Sequence, residues 1–142
     1  MMPYRYVEGY TMADVAFEAT GKTLEEMCEG AAMALTNSMV SDLKAIEQKK
    51  TVTIKVESRD EERLLHDFLQ EILFYKDAEN LVFSGFSVRV STNGKFVLEA
   101  EMLGEEIDMK KHDLVVDVKA VSWHRYKVEK KDMWRAFVIL DV

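Results

Sequence analysis

Two stretches of helical periodicity constrain this chain most, because each presents an apolar face that another element must cover. In residues 21–40 and 58–77, apolar side chains recur at spacings of three and four, which places them on one side of a helix. These faces consist of Leu24, Met27, Cys28, Ala31, Ala34 and Leu35 in the first stretch and Leu64, Leu65, Phe68, Leu69, Ile72 and Leu73 in the second.

Each predicted helix opens with a capping-box sequence, in which a Ser or Thr and a Glu three residues later satisfy the first free N–H groups. Thr23 and Glu26 form the first pair, and Ser58 and Glu61 form the second. We therefore expect the helices to start at these positions.

The surface that covers the helices is predicted to be β-sheet. Residues 14–20 form one predicted strand, and residues 49–58 alternate apolar and polar side chains as a half-buried strand does. Asn93-Gly94 tolerates positive φ and predicts a hairpin between segments 81–90 and 95–103. A polar loop is expected at 104–117.

The C-terminal part is predicted to form another antiparallel pair, residues 117–130 and 132–142, which turns near Lys131-Asp132. Because strands joined by short turns are antiparallel, we predict an α+β fold with two helices packed on one face of a mostly antiparallel sheet. One proline and no Gly/Ser-rich linker indicate a single domain over residues 1–142.

The composition excludes several classes of function. With 48% hydrophobic and 32% charged residues, the chain has the balance of a soluble globular protein. No apolar run approaches the ~20 residues of a membrane span, and residues 1–10 lack the apolar core of a signal peptide, so we expect a cytoplasmic protein. The net charge of −7 disfavours direct nucleic-acid binding and suits a basic partner or a divalent cation, although solubility alone explains it.

The sequence contains no glycine-rich phosphate loop, G-x-S-x-G motif or paired-cysteine zinc site. Cys28 lies on an apolar helix face and is expected to be a buried structural thiol. His66 is expected on the exposed side of the second helix, and His124 follows Trp123 in a predicted strand. For these two histidines and for His112, a structural role is favoured over a chemical one.

Carboxylates at strand ends offer a site for a metal ion. Asp14 opens one predicted strand, while Asp141 and the terminal carboxylate of Val142 close another. If the two strands are neighbours, these groups repel one another unless they protonate or bind a hard cation such as Ca²⁺, Mg²⁺ or Mn²⁺. The alternative is an Asp14 that caps a turn and a solvated chain end, and the residues alone favour this alternative.

Five segments together resemble one family, the archeases. They are "ADVAFEATGKTLEEMCEGAAMAL", "LLHDFLQEILF", "GEEIDMKKH", "DVKAVSWH" and the final "VILDV", and they follow the family's order and spacing over nearly the whole chain. The resemblance implies a compact α+β domain that catalyses no reaction. It also implies a partner, the RtcB-type tRNA-splicing ligase, whose guanylylation by GTP and repeated turnover these proteins promote and whose nucleotide specificity they can broaden.

The resemblance further implies a divalent ion, calcium-like, held by Asp14, Asp141 and Val142. Lys119 and His124 fall on the family's motif lysine and histidine, which implies contact with the partner or its nucleotide. GTP and RNA are then reached only through the ligase. One departure is that the chain has "EGYTMAD" at residues 8–14 where the family has E-H-T-A-D, so the family's histidine is missing although Asp14 stays aligned.

Two other functions stay open at this point. A metal-dependent hydrolase needs a base beside the metal-bound water, and only His124 and Lys119 are candidates. A general chaperone or adaptor is suggested by the methionine-rich first helix.

Overall fold

The computed structural model describes residues 3–8 and 14–142, which form two α-helices, one short 3₁₀ helix (Leu43–Ala45) and eight strands. All strand pairs are antiparallel. The elements in chain order are β1 (Tyr4–Val7), β2 (Val15–Gly21), α1 (Leu24–Met39), β3 (Lys50–Ser58), α2 (Glu61–Glu79), β4 (Leu81–Thr92), β5 (Phe96–Glu106), β6 (Ala120–Val121), β7 (Lys127–Lys130) and β8 (Trp134–Asp141).

The α+β class is confirmed, but the strands form two sheets where the sequence predicts one. The first has the order β1-β2-β8-β6, with β7 also paired to β8, and the second has the order β3-β5-β4. Both helices contact both sheets: α1 packs on β2 and β4, and α2 packs on β3 and β6. The helices therefore join the two sheets around one core, and all twelve apolar residues predicted for their inner faces are buried.

The start of α1 is as predicted, whereas the start of α2 is not. Thr23 caps α1, and its hydroxyl accepts a hydrogen bond from the Glu26 N–H at 3.1 Å. The cap of α2 is Asp60, whose carboxylate accepts from the Arg63 N–H at 2.7 Å. The Ser58 capping box is therefore wrong, because Ser58 ends β3 and Asp60 is the better-placed acceptor.

The predicted hairpin is confirmed, with Gly94 at φ +82° between β4 and β5. Strand β5 continues to Glu106, so the predicted loop at 104–117 begins later than expected. Strand β1 was not expected from the sequence pattern. No helix within residues 3–8 and 14–142 is long and apolar enough to cross a membrane.

One feature of the first sheet determines where the candidate site lies: β8 is an inner strand. It pairs with β2 on one side and with β6 and β7 on the other. The end of the chain is consequently held by neighbours on both sides.

Candidate functional site

The β2–β8 ladder places the predicted carboxylates at the same end of the first sheet. Its last pair is Val15 with Leu140. Asp14 directly precedes this pair on one strand, and Asp141 directly follows it on the other. Asp141 is exposed, Asp14 is half-buried, and Val142 packs partly against the core. The two strands that carry the carboxylates are thus neighbours, as the metal-site hypothesis requires.

The donor set at this end suits a hard cation. In the described part of the chain, no three side chains of His, Cys, Asp or Glu come together as a metal site. A site formed with Asp14 and Asp141 would therefore need a third donor that is not a side chain, and the sequence analysis predicts the carboxylate of Val142 for this role. All three groups offer oxygen, which Ca²⁺, Mg²⁺ and Mn²⁺ prefer over nitrogen or sulfur.

Lys119 lies beside these carboxylates. It directly precedes β6, and its N–H donates to the carbonyl oxygen of Asp141 at 2.8 Å. Ala120 then pairs with Asp141 in the ladder. Lys119 is exposed, and its backbone lies at the sheet end that carries the carboxylates.

His124 lies farther along the sheet than Lys119, beyond the hydrogen bond from the Ser122 N–H to the Ile139 carbonyl. It is exposed in a turn, and its N–H donates to Ser122 Oγ at 3.0 Å. The expectation that His124 lies in a strand is wrong, because the chain leaves the ladder after Val121 and passes through Arg125 at φ +54°.

His66 is buried, which overturns the prediction that it is exposed. Only 6% of its surface is accessible, and its ring stacks on Trp123 with centroids 3.6 Å apart. The carbonyl oxygen of Val121 lies 2.8 Å from His66 Nε2, so this nitrogen carries the proton that is donated. Burial, with a smaller contribution from Arg63, lowers the pKa of His66. Helical periodicity identifies the outer side of α2, but a segment distant in sequence covers that side.

Two further polar side chains of α2 contact the segment that carries Lys119, and the sequence analysis missed both. Gln70 Oε1 accepts from the Val121 N–H at 2.8 Å. The buried Lys76 ammonium donates to the Val118 carbonyl at 2.7 Å and to the Asp117 carboxylate at 2.5 Å. In the sequence, Gln70 and Lys76 are recognisable only as polar residues of a helix whose apolar face is made up of other residues.

The motif "GEEIDMKKH" forms a structural network instead of a reactive site. His112 Nδ1 accepts from the Asp108 N–H at 3.0 Å, so Nε2 carries the proton and donates to Glu105 at 2.9 Å. Burial opposes ionisation of Glu105, but hydrogen bonds led by that from Lys111 outweigh it and lower its pKa to about 2. A structural role for His112 agrees with the prediction.

Cys28 is a buried free cysteine, as predicted. Burial, reinforced by the charges of Glu25 and Glu29, raises the pKa of its thiol to about 12. Because the thiolate is the reactive form, this cysteine is inert at neutral pH. The altered motif at residues 8–14 falls mainly on residues 9–13, which lie outside the described residues.

Comparison with known proteins gives one consistent result. Residues 4–142 match the model of the Archease protein family (MTH1598/TM1083). A protein named archease from Pyrococcus furiosus is 38% identical over 133 residues, which cover 92% of this chain and 93% of the relative. One from Methanosarcina barkeri is 35% identical and covers 98% and 95% respectively.

Solved structures agree with these relatives. The solution structure of Methanobacterium thermoautotrophicum protein 1598 is similar with a TM-score of 0.87 and 33% identity, and all of both chains is covered. The crystal structure of a Thermotoga maritima protein described as an archease and possible chaperone has a TM-score of 0.60 at 16% identity, with 93% of each chain covered. The similarity to the Thermotoga maritima protein shows a common fold.

Proposed function

The chain belongs to the archease family, and from that premise we propose that it is a non-catalytic, metal-binding protein cofactor of an RtcB-type tRNA-splicing RNA ligase. It promotes guanylylation of the ligase by GTP, supports repeated turnover and broadens the nucleotides that the ligase accepts. It acts in the cytoplasm, and GTP and RNA meet it only through the ligase.

The observation that carries this proposal is the convergence of three strand ends. The β2–β8 ladder ends between Asp14 and Asp141, and the Lys119 backbone is hydrogen-bonded to Asp141 at that end. Asp14, Asp141 and the exposed Lys119 therefore belong to the same end of the sheet, which supports a site that a partner could contact. The net charge of −7 also favours a protein partner over direct contact with RNA.

The ion is proposed to bind Asp14, Asp141 and the carboxylate of Val142. When bound, it would offset the repulsion between these carboxylates and supply a positive charge at the contact surface. The family resemblance favours calcium, and magnesium and manganese use the same kind of oxygen ligand. Lys119, and with less support from the geometry His124, are proposed to contact the partner or its nucleotide.

The proposal is tested by labelling the cognate ligase with GTP in the presence and absence of this protein. Asp14→Asn removes one anionic ligand with little change in shape, so calcium affinity should fall at least ~tenfold and stimulation of labelling should disappear. Isothermal titration measures the first effect and covalent label the second. Asp132→Asn, at an exposed carboxylate between β7 and β8, is the matched control and should change neither.

Lys119→Ala separates partner contact from ion binding. This variant should fold, keep its calcium affinity and fail to stimulate labelling. Full stimulation by Lys119→Ala would remove Lys119 from the proposal. Hydrolysis of GTP by this protein alone would favour the metal-dependent hydrolase, and protection of the ligase from aggregation without faster labelling would favour the chaperone or adaptor.

A further inference from the structure

The segment 117–122 carries Lys119 and lies between two supports. On one side it meets β8 through the hydrogen bonds from the Lys119 N–H to the Asp141 carbonyl and from the Ser122 N–H to the Ile139 carbonyl, and through the short β6 pairing. On the other side it meets polar side chains of α2. Strand β6 has only two residues, so pairing with β8 supplies few of the hydrogen bonds that fix the position of this segment.

Both backbone polar groups of Val121 are hydrogen-bonded to side chains of α2. Its N–H donates to Gln70 Oε1, and its carbonyl accepts from His66 Nε2, each at 2.8 Å. His66 and Gln70 are four residues apart and therefore lie on the same side of the helix, one turn from each other. Together they form the hydrogen bonds that a second neighbouring strand would otherwise make with this edge strand.

Lys76 fixes the other end of the segment. Its ammonium is buried, with 7% of the side chain accessible, and hydrogen bonds join it to the Val118 carbonyl and the Asp117 carboxylate. Asp77 of α2 forms a further ion pair with it at 3.0 Å. An ammonium group is costly to bury unless it is paired, and a methionine would fill the same space without that cost. A lysine at this position therefore holds the Asp117 carboxylate and the Val118 carbonyl in place, directly before Lys119.

We infer that Gln70 and Lys76 are positioning residues for Lys119. They attach the segment 117–122 to α2, and the position of this segment determines how the Lys119 ammonium stands relative to Asp141. Neither side chain needs to contact the ligase. The inference deepens the proposed function and rests on it for the role of Lys119, but the attachment itself can be measured without the ligase.

The decisive variant is Gln70→Leu, which keeps the side-chain size and removes the acceptor for the Val121 N–H. We expect hydrogen exchange at the Val121 amide to accelerate by ~tenfold or more. Stimulation of ligase guanylylation at saturating protein should fall by ~tenfold, while the half-saturating concentration stays unchanged. Gln70→Glu retains an acceptor oxygen and should restore both values.

Glu71→Leu is the matched control, since Glu71 is the next residue of α2 and its side chain has no hydrogen bond or ion pair among the described residues. Lys76→Met is a second test, with faster exchange expected around Val118 and the same fall in stimulation. Unchanged exchange in Gln70→Leu, or full stimulation despite faster exchange, would overturn the inference. If the unaltered protein does not stimulate the ligase, the proposed function fails, and the exchange data still decide whether α2 holds the segment.

Discussion

The contacts of His66 with Trp123 and Val121 suit the neutral form of its ring. In the neutral ring, the Nε2–H already satisfies the Val121 carbonyl, and the ring plane lies 5° from that of Trp123. A second proton would place a charge in a buried position close to Arg63. Burial and this guanidinium therefore lower the pKa of His66, although the hydrogen bond to Val121 and the charge of Asp67 oppose them in part.

A pH-dependent stability follows from that lowered pKa. An unfolded histidine titrates near pH 6.5, so below this pH the unfolded chain binds a proton that the folded protein resists. The stabilisation from His66 is complete above about pH 6.5 and is lost as the pH falls towards the folded pKa. Urea unfolding at pH 7.5 and 5.5 should show this loss.

His66→Gln keeps an N–H donor for Val121 and cannot titrate, so its stability should depend less on pH over the same interval. Glu105 does not interfere, because its pKa of about 2 places its titration below the interval. Equal pH dependence in the two proteins would show that His66 is not the responsible group.

At the residue scale, the sequence predicts buried apolar residues well and polar contacts poorly. The twelve apolar helix positions follow from periodicity, which is a local property. The burial of His66 and Lys76 depends on the segment 117–122, which lies far away in the chain. Nothing near either residue in sequence indicates that another segment will cover it.

Among the elements, β5 approaches the backbone of β4 very closely at Gly104. A Cβ atom added there would lie 1.9 Å from the Val82 carbonyl oxygen and 2.7 Å from the Phe83 Cα. Both are backbone atoms of β4, and the register of the β4–β5 pair shifts between Phe83 and Gly85. The irregular pairing brings the two strands so close that only glycine fits.

Gly104→Ala should therefore destabilise the protein strongly, by about 3 kcal/mol, because one strand must move away from the other. Gly94→Ala is the comparison. There a Cβ meets nothing within 4 Å, but the φ of +82° is unfavourable for alanine and should cost about 1 kcal/mol. Urea denaturation measures both, and equal losses would contradict the account of Gly104.

At the element scale, both helices, the hairpin and the antiparallel connections could be predicted because each depends on nearby residues. The division into two sheets could not, since the pairing of β2 with β8 joins opposite ends of the chain. The same is true of the candidate site. Its carboxylates lie at strand ends that can be read from the sequence, but only long-range pairing makes those ends neighbours.

At the scale of the whole molecule, the last residues of the chain belong to a paired and packed strand. Strand β8 has a paired strand on each side, and its side chains Ala136, Val138 and Leu140 are buried in the hydrophobic core. Changes beyond Val142 should therefore affect the chemistry of the sheet end and leave the core intact.

Appending Gly-Ser-Gly after Val142 tests this expectation. The extension keeps every side chain and replaces the proposed carboxylate ligand with a neutral amide. Calcium affinity depends on the number of charged ligands, so it should fall at least ~tenfold, and stimulation of the ligase should fall with it. The thermal unfolding midpoint without calcium should hardly change.

An extension of equal length before Met1 is the control and should have a smaller effect on both values. If the C-terminally extended protein binds calcium and stimulates guanylylation as well as the original, the terminal carboxylate is not a ligand.

Asp141 connects two interactions that the proposed function treats separately. Its side chain belongs to the proposed ion ligands, while its backbone carbonyl accepts the Lys119 N–H. Any factor by which the ion improves binding of a partner at Lys119 must, by thermodynamic reciprocity, also be the factor by which that partner tightens the ion. The calcium concentration to which this protein responds would then be a property of the complex, and a value measured on the isolated protein would underestimate its sensitivity.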